Sequence, residues 1–324
     1  MCTAATYTTK CFYFGRTLDV ERSYGEEIVF TPRRFPLRFR HTASAESRYA
    51  ILGMASVADG YPLYFDAMNE AGLCMAGLRF AGNAVYGKAI PARENVAVFE
   101  LIPWLLGRCA SVAEARQALG RLYLADTPFN ADLPTAPLHW MIADRDGAIT
   151  VEAVAEGLRA YDNPVGVLTN NPPFPEQLSR LNDYMHLSPR DPVDTFSRAL
   201  SLRPYSRGMG ALGLPGDLSS ASRFVRAAFV RANSRSEATE EASVSQFFHI
   251  LGAVEQPRGC CMLADDSAEI TRYTSCCNAT RGIYYYTTYD NRRITAVNMH
   301  HEDPDGTTLV RYPLLVASDI RYQN

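Results

Sequence analysis

The sequence lacks any apolar run approaching the ~20 residues that a membrane-spanning helix needs, so we expect no transmembrane segment and no membrane partner. It also lacks an excess of one charge: 32 basic and 35 acidic residues are mixed along the chain. Without a basic patch there is no electrostatic footprint for nucleic acid. Met1 is followed by Cys, Thr and Ala, with no basic start, so we expect no signal peptide and a cytoplasmic protein.

Several motifs of known chemistry are missing as well. The eight cysteines contain no C-x-x-C and no Cys/His cluster at ligand spacing, so we expect neither a metal site nor a disulfide framework. No G-x-x-x-x-G-K-[ST] and no G-x-G-x-x-G behind a strand is present, which argues against nucleotide binding. No serine stands in a G-x-S-x-G elbow, and nothing ties a histidine to a cysteine.

The apolar pattern predicts the order of the elements, and 47% hydrophobic residues in 324 suffice for a large core. Strands are predicted at 3–8, 11–17, 27–31, 49–58, 72–78, 138–143, 148–153, 165–169, 270–275, 282–289 and 293–298. Helices are predicted at 98–109, from a cap at Ser111, and at 176–186, 219–232 and 243–254, while 59–65 is predicted as a turn. This order is not a βαβα alternation. It favours an α+β fold with two antiparallel sheets between helix layers, in one domain spanning 1–324.

Cys2 has the position that most suggests chemistry. Once Met1 is trimmed, Cys2 carries a thiol and a free α-amine, which titrates near pH 8 and can act as a neighbouring base. Arg16 would favour the thiolate by charge pairing, and Asp19 could accept hydrogen bonds from the amine. Residues three apart on a flat strand face opposite sides, so a shared site requires a break near Thr17. The alternative is a surface ion pair.

Two further stretches offer polar groups. A predicted strand ends at Asn170, before Asn171-Pro172, where a fixed side-chain amide would suit an oxyanion hole. An ordinary turn is the alternative, because Asn before Pro often starts one. Later, a glycine-rich loop at 205–218 leads into a helix that carries Arg223, which is typical of a flexible substrate loop followed by a fixed arginine.

Taken together, the chain resembles the choloylglycine hydrolase family, the N-terminal-nucleophile amidases that comprise bile salt hydrolases and penicillin V acylases. The resemblance rests on an ordered set of motifs that runs from Met1 almost to the end of the chain. They are Met1-Cys-Thr-Ala, Phe14-Gly-Arg-Thr-Leu-Asp, Ala71-Gly-Leu-Cys-Met-Ala-Gly-Leu, Leu138-His-Trp, Gly166-Val-Leu-Thr-Asn-Asn-Pro, Leu214-Pro-Gly-Asp-Leu-Ser-Ser-Ala-Ser-Arg-Phe and Gly282-Ile-Tyr-Tyr-Tyr. It implies a four-layer αββα fold, a homotetramer, a cytoplasmic location and no cofactor.

The resemblance also implies roles for individual residues. Cys2 becomes the nucleophile with its own α-amine as base, Arg16 and Asp19 flank it, Asn170 contributes to the oxyanion hole, and Arg223 completes the polar cluster. The residues implied to line an apolar substrate pocket are Leu18, Tyr24, Phe65, Phe129 and Leu133. One position departs from the family pattern: Arg79 stands where bile salt hydrolases usually have Asn and penicillin acylases commonly have Tyr. Arg79 could donate to the oxyanion, bind the acidic end of a conjugate, or point elsewhere.

The hypothesis is therefore hydrolysis of the amide that joins a bile acid to taurine or glycine, through a Cys2 thioester. Conjugated bile salts are the expected small-molecule partner. Two alternatives stay open: a penicillin V acylase with the same mechanism, and a catalytically impaired relative that only binds bile salts.

Overall fold

The structure is a computed structural model, and it describes residues 1–42 and 47–324. Its strands, in chain order, are β1 (Cys2–Thr8), β2 (Phe12–Val20), β3 (Glu27–Thr31), β4 (Ile51–Ala58), β5 (Tyr61–Asn69), β6 (Cys74–Arg79), β7 (Glu94–Ala97), β8 (Leu122–Ala125), β9 (Leu138–Asp144), β10 (Gly147–Val154), β11 (Gly157–Asp162), β12 (Val167–Leu168), β13 (Ile270–Asn278), β14 (Ile283–Thr288), β15 (Thr295–Asn298) and β16 (Val310–Pro313). The helices are α1 (Leu101–Leu106), α2 (Val112–Leu119), α3 (Phe174–Arg180), α4 (Ser220–Asn233) and α5 (Glu240–Gly252).

Two antiparallel sheets form the body of the protein. The first has the strand order β12-β1-β2-β13-β14-β15, and the second has the order β11-β10-β9-β6-β5-β4-β3-β16. Helices α4 and α5 pack on the outer face of the first sheet, and α1 and α2 pack on the second. This is the αββα sandwich that the order of elements predicted.

Most predicted elements lie close to their observed positions, and the differences have local causes. The segment predicted as a turn at 59–65 turns only at Asp59-Gly60, both with positive φ. It then continues as β5, because its aromatic and apolar residues pair with β4. Ser111 caps α2 as predicted, accepting a hydrogen bond from the Glu114 N–H. Strands β7, β8, β11 and β16 were not predicted.

Alternation along the first hairpin decides where the polar residues point. In β2, Phe12, Phe14, Arg16 and Leu18 share one face, and Tyr13, Thr17 and Asp19 share the other. The Arg16 guanidinium donates to the Gly77 carbonyl oxygen of β6 in the second sheet. The face that carries Asp19 points toward α4, since Arg223 of α4 lies beside its carboxylate. The N-terminal hairpin therefore presents polar groups to both neighbouring layers.

Gly15 allows β2 and β13 to approach closely beside this polar cluster. A Cβ atom at position 15 would lie 2.0 Å from the Ser275 carbonyl oxygen. A side chain at this position is therefore sterically excluded, and glycine is required for the pairing of the two strands. Among the helices of residues 1–42 and 47–324, none is long and apolar enough to span a bilayer.

Candidate active site

Cys2 lies at the first position of β1, opposite Leu18 of β2. Each of its polar atoms has a partner from a different part of the chain. The Cys2 N–H donates to Asn170 Oδ1 at 2.8 Å, and its carbonyl oxygen accepts from Arg223 Nη1 at 2.6 Å. Its sulfur accepts a short contact from Arg16 Nη2. With Met1 in place, Cys2 is 4% exposed.

Arg16 is a fully enclosed cation next to this sulfur. Besides the thiol, its guanidinium donates to the carbonyl oxygens of Thr17 at 3.1 Å and Gly77 at 2.6 Å, which fixes its plane. Burial disfavours the charge, but the Cys2 thiol and nearby acidic groups outweigh it and raise the pKa of Arg16 above its ordinary value. A permanent positive charge held against a sulfur favours the thiolate form of a cysteine.

A buried carboxyl group behind Arg16 was not predicted from the sequence. Asp66 of β5 accepts hydrogen bonds from Tyr273 at 2.6 Å, Tyr284 at 2.6 Å and Ser275 at 2.9 Å. Ser275 Oγ in turn accepts from the Arg16 backbone N–H at 3.0 Å. Burial raises the pKa of Asp66, while the charge of Arg16 and the three hydroxyl groups oppose the shift. The only local sign in the sequence is an acidic residue inside an apolar strand.

The opposite face of the hairpin carries a second polar cluster, formed with α4. Arg223 is completely buried and donates to Thr3 Oγ1 at 2.6 Å, and its Nη1 lies 4.0 Å from Asp19 Oδ2. Asp19 also accepts from Thr17 Oγ1 at 3.1 Å and Thr271 Oγ1 at 2.7 Å. Burial lowers the pKa of Arg223, and Asp19 and Cys2 oppose this shift.

Arg16 and Asp19 therefore flank Cys2 from opposite sides of the sheet. Strand β2 is continuous through Thr17, so the break proposed there is not observed. The irregularity lies in β13, where the pairing with β2 shifts between Thr271 and Tyr273. Cys2 is the first residue of β1. Its sulfur can therefore face the second sheet, while its nitrogen and carbonyl oxygen remain accessible to groups near α4.

Asn170 follows β12 and bridges the two sheets beside Cys2. Its Oδ1 accepts from Arg223 Nη2 at 2.8 Å as well as from Cys2. Its Nδ2 donates to the Arg79 carbonyl oxygen at 2.8 Å. Since Arg223 can only donate, the oxygen of the amide must face it. One N–H of the Asn170 amide is then left to donate to another acceptor.

Arg79 is at the end of β6 and contributes its backbone, not its side chain, to this arrangement. Its side chain is exposed and, within the part of the chain that the structure describes, makes no ion pair or side-chain hydrogen bond. The guanidinium is thus separate from the contacts made by Cys2.

The residues expected to line a pocket divide into two groups. Leu18 is buried in the sheet core, and the Tyr24 and Phe65 rings lie 6.1 Å apart, with the Phe65 carbonyl oxygen accepting from Arg16. Phe129 and Leu133 lie in one loop, joined by a backbone hydrogen bond of 3.1 Å. The Phe129 ring packs against Phe99 and Tyr61, and the structure shows no packing between it and the Tyr24–Phe65 pair within the described residues.

Met1 precedes β1 and is hydrogen-bonded to Asp19 of β2. Its carbonyl oxygen accepts from the Asp19 N–H at 2.9 Å, and its α-ammonium contacts the Asp19 carbonyl oxygen and the Glu269 carboxylate. The nitrogen of Cys2 is a peptide nitrogen while Met1 is attached, and it becomes an α-amine at the same place when Met1 is removed.

A cysteine at the start of a strand, a buried arginine on its sulfur, and an amide at its nitrogen, in an αββα sandwich, define an N-terminal-nucleophile hydrolase. The family model of linear amide C–N hydrolases, choloylglycine hydrolase family, matches residues 2–312. The chain belongs to this family and is an amidohydrolase.

Individual relatives are similar over their whole length. A bile salt hydrolase/transferase of Lactiplantibacillus plantarum is 54% identical over 97% of both chains. One of Clostridium perfringens is 37% identical over the full length of both. The crystal structure of a mutant conjugated bile acid hydrolase from Clostridium perfringens superposes with a TM-score of 0.92, at 37% identity and full coverage of both chains. Penicillin V acylase from Agrobacterium tumefaciens shares the fold, with a TM-score of 0.72 at 21% identity, covering 96% of this chain and 90% of that one.

Proposed function

We propose that the protein hydrolyses the amide bond of bile acids conjugated to taurine or glycine, with Cys2 as the nucleophile. The observation that carries the proposal is the set of contacts around Cys2, which places Arg16 on its sulfur and Asn170 on its nitrogen. The substrate class is supported by the relatives named as bile salt hydrolases, which are similar to this chain from end to end.

The mechanism begins with removal of Met1, which converts the Cys2 nitrogen into an α-amine. This amine takes the thiol proton, and the thiolate attacks the amide carbonyl carbon. The free N–H of Asn170 donates to the oxygen that becomes negatively charged. The α-ammonium then gives its proton to the leaving nitrogen as the C–N bond breaks. Water, deprotonated by the amine, attacks the carbonyl carbon of the thioester. The C–S bond breaks, the bile acid is released, and the Cys2 sulfur takes back the proton from the α-ammonium.

Arg16 and the Asp19–Arg223 cluster have different parts in this proposal. Arg16 stabilises the thiolate in the free enzyme. Arg223 holds the Cys2 carbonyl and Asn170 Oδ1 together, and Asp19 supplies a compensating negative charge. Exposed Arg79, at the edge of this region, is proposed to attract the sulfonate or carboxylate of the conjugate.

The test compares wild type with Cys2→Ala, measuring taurine released from taurocholate by protein whose intact mass shows that Met1 is absent. Cys109→Ala removes another buried thiol and is the matched control. We expect no turnover by Cys2→Ala and near wild-type turnover by Cys109→Ala. Turnover of penicillin V without turnover of taurocholate would replace the proposed substrate, and saturable bile-salt binding without released taurine would replace the proposed activity.

We propose that residues 1–324 act as one domain, that the protein is cytoplasmic, and that it assembles as a homotetramer. The eight cysteines are all free thiols, which suits a reducing compartment. The loop between α3 and α4 exposes large apolar side chains, such as Val193 at 83% and Phe196 at 78%, and such a surface is typical of an interface. Light scattering should give four chains per particle, and Phe196→Asp should reduce that number whereas Val85→Asp, also at an exposed site, should not.

A further inference from the structure

Asn170 belongs to a short turn that is held by side chains from three other elements. The turn, Thr169 to Pro172, has no regular pairing of its own after β12 ends at Leu168. Its backbone polar groups therefore need partners from elsewhere, because buried carbonyl and N–H groups are costly when unpaired.

Gln177 of α3 pairs with two of these backbone groups and with one side chain of the turn. The Gln177 side chain is 1% exposed. Its Nε2 donates to the Asn170 carbonyl oxygen at 2.5 Å and to the Pro172 carbonyl oxygen at 2.8 Å. Its Oε1 accepts from Thr169 Oγ1 at 2.7 Å. Both N–H groups and the oxygen of the Gln177 amide are thus bonded to the turn, at Thr169, at Asn170 and at Pro172.

The same turn is held on its other side by Ser220 and His139. The Asn170 N–H donates to Ser220 Oγ at 2.8 Å. His139 Nε2 lies 2.8 Å from the Thr169 carbonyl oxygen, which can only accept, so this nitrogen carries a proton. The other ring nitrogen of His139 faces buried Glu152 at 3.1 Å. Together these contacts fix the position of the Asn170 backbone.

We propose that Gln177 is a positioning residue for Asn170 in the acyl-transfer step. Within residues 1–42 and 47–324, no hydrogen bond joins the Gln177 side chain to Cys2, Arg16 or Arg223, so Gln177 acts on the chemistry through the position of the Asn170 side chain. The proposal rests on the proposed function, in which Asn170 donates to the developing oxyanion. A displacement of about 1 Å is enough to reduce the rate on the order of 100-fold when a group must be aligned with a transition state.

Two reactions of Cys2 separate this effect from a general loss of structure. Acylation by p-nitrophenyl acetate passes through a tetrahedral oxyanion, whereas alkylation by iodoacetamide displaces iodide and forms none. Both need the thiolate and neither needs a bile-salt site. The ratio of the acylation rate to the alkylation rate therefore reports the oxyanion donor by itself, and it remains measurable even when wild type does not hydrolyse taurocholate.

Gln177→Met keeps the length of the side chain and removes its three hydrogen bonds. We expect the ratio to fall 10- to 100-fold, with the alkylation rate within threefold of wild type; on an amide substrate, kcat should fall and KM should stay near its wild-type value. Ser220→Ala removes the hydroxyl that accepts from the Asn170 N–H and donates to Thr169 Oγ1. It should lower the ratio about threefold, and it keeps the test open when Gln177→Met does not fold. Gln246→Met, which removes a hydrogen bond from α5 to Ser234 and none to this turn, is the control and should leave the ratio unchanged.

Two results would overturn the proposal. The first is a ratio within twofold of wild type in folded Gln177→Met, or in Ser220→Ala when Gln177→Met cannot be obtained. The second is an equal fall of both rates, because this would show that the whole site, and not the oxyanion donor, had been disturbed. Failure of wild type on taurocholate, with the ratio still lowered by Gln177→Met, would reject the substrate and retain the positioning role.

Discussion

Replacing Arg16 by methionine tests the electrostatic basis of the nucleophile most directly. Arg16 touches the Cys2 sulfur and is fully buried, so its charge acts with little solvent screening. Two unit charges about 4 Å apart interact by about 4 kcal/mol at an effective dielectric constant near 20. Arg16→Met removes this stabilisation of the thiolate.

The net effect is smaller because Asp66 responds to the same substitution. Burial already raises the pKa of Asp66, and the charge of Arg16 is the main influence against that rise. Without Arg16, Asp66 takes up a proton more readily, which removes one negative charge near the sulfur. We therefore expect the electrostatic stabilisation of the charged sulfur to fall by a net amount of about 2–3 kcal/mol. At about 1.4 kcal/mol per tenfold, this corresponds to a roughly 30- to 150-fold lower alkylation rate.

The assay is the rate of Cys2 alkylation by iodoacetamide at pH 7, followed by intact mass on protein without Met1, since reactivity follows the thiolate. Carbonyl groups of Thr17, Phe65 and Gly77 lose a donor in the variant. Each unpaired group costs about 1–3 kcal/mol, so folding is checked by circular dichroism at the assay temperature. Arg231→Met, which removes another largely enclosed arginine bonded to Thr6, is the control. An alkylation rate within threefold of wild type would refute the role given to Arg16.

Three further outcomes are expected. Arg79→Ala should raise KM for taurocholate about three- to tenfold with kcat little changed. The difference in KM should shrink at high salt, because salt screens the attraction between an exposed cation and the anionic substrate. Arg121→Ala, also at an exposed arginine, is the control, and a fall confined to kcat would contradict the role given to Arg79. Gly15→Ala should cost at least about 3 kcal/mol or prevent folding, since its Cβ would meet the Ser275 carbonyl oxygen at 2.0 Å; Gly147→Ala, with nothing within 4 Å, should be tolerated, and equal unfolding midpoints in urea would contradict the steric account. Burial raises the pKa of Glu100, although the backbone N–H groups of Ala97 and Arg40 donate to its carboxylate and oppose the shift. Ionisation of Glu100 is therefore disfavoured in the folded state, and the protein loses stability as the pH rises through this pKa. The Tm of Glu100→Gln minus that of wild type should be higher at pH 8 than at pH 4, and a difference that does not depend on pH would contradict this expectation.

Local sequence was sufficient for the elements that carry their own signals. The Ser111 cap, the alternating first hairpin and the strand at Glu27–Thr31 depend on residues that are neighbours in the chain, and they are found where predicted. The start of strand β5 was wrongly predicted as a turn, because its strand conformation depends on pairing with β4. Strand β16 is an isolated edge strand whose pairing with β3 closes a loop of almost the entire chain, and no local pattern reports such a contact.

The sequence by itself determined that Cys2, Arg16, Asp19, Asn170 and Arg223 were the residues to consider, because their motifs occur in one order. Only the tertiary structure decided how they are divided around Cys2. Arg16 reaches the sulfur from the side of the second sheet, whereas Arg223 reaches the carbonyl oxygen from the side of α4, with Asp19 beside it. Asp66 and Gln177 were identified only from the tertiary structure, since the partners of a buried polar group can lie far away in the chain. Burial and pairing are properties of the packed layers, and this is why the support of the site could not be read from any one stretch.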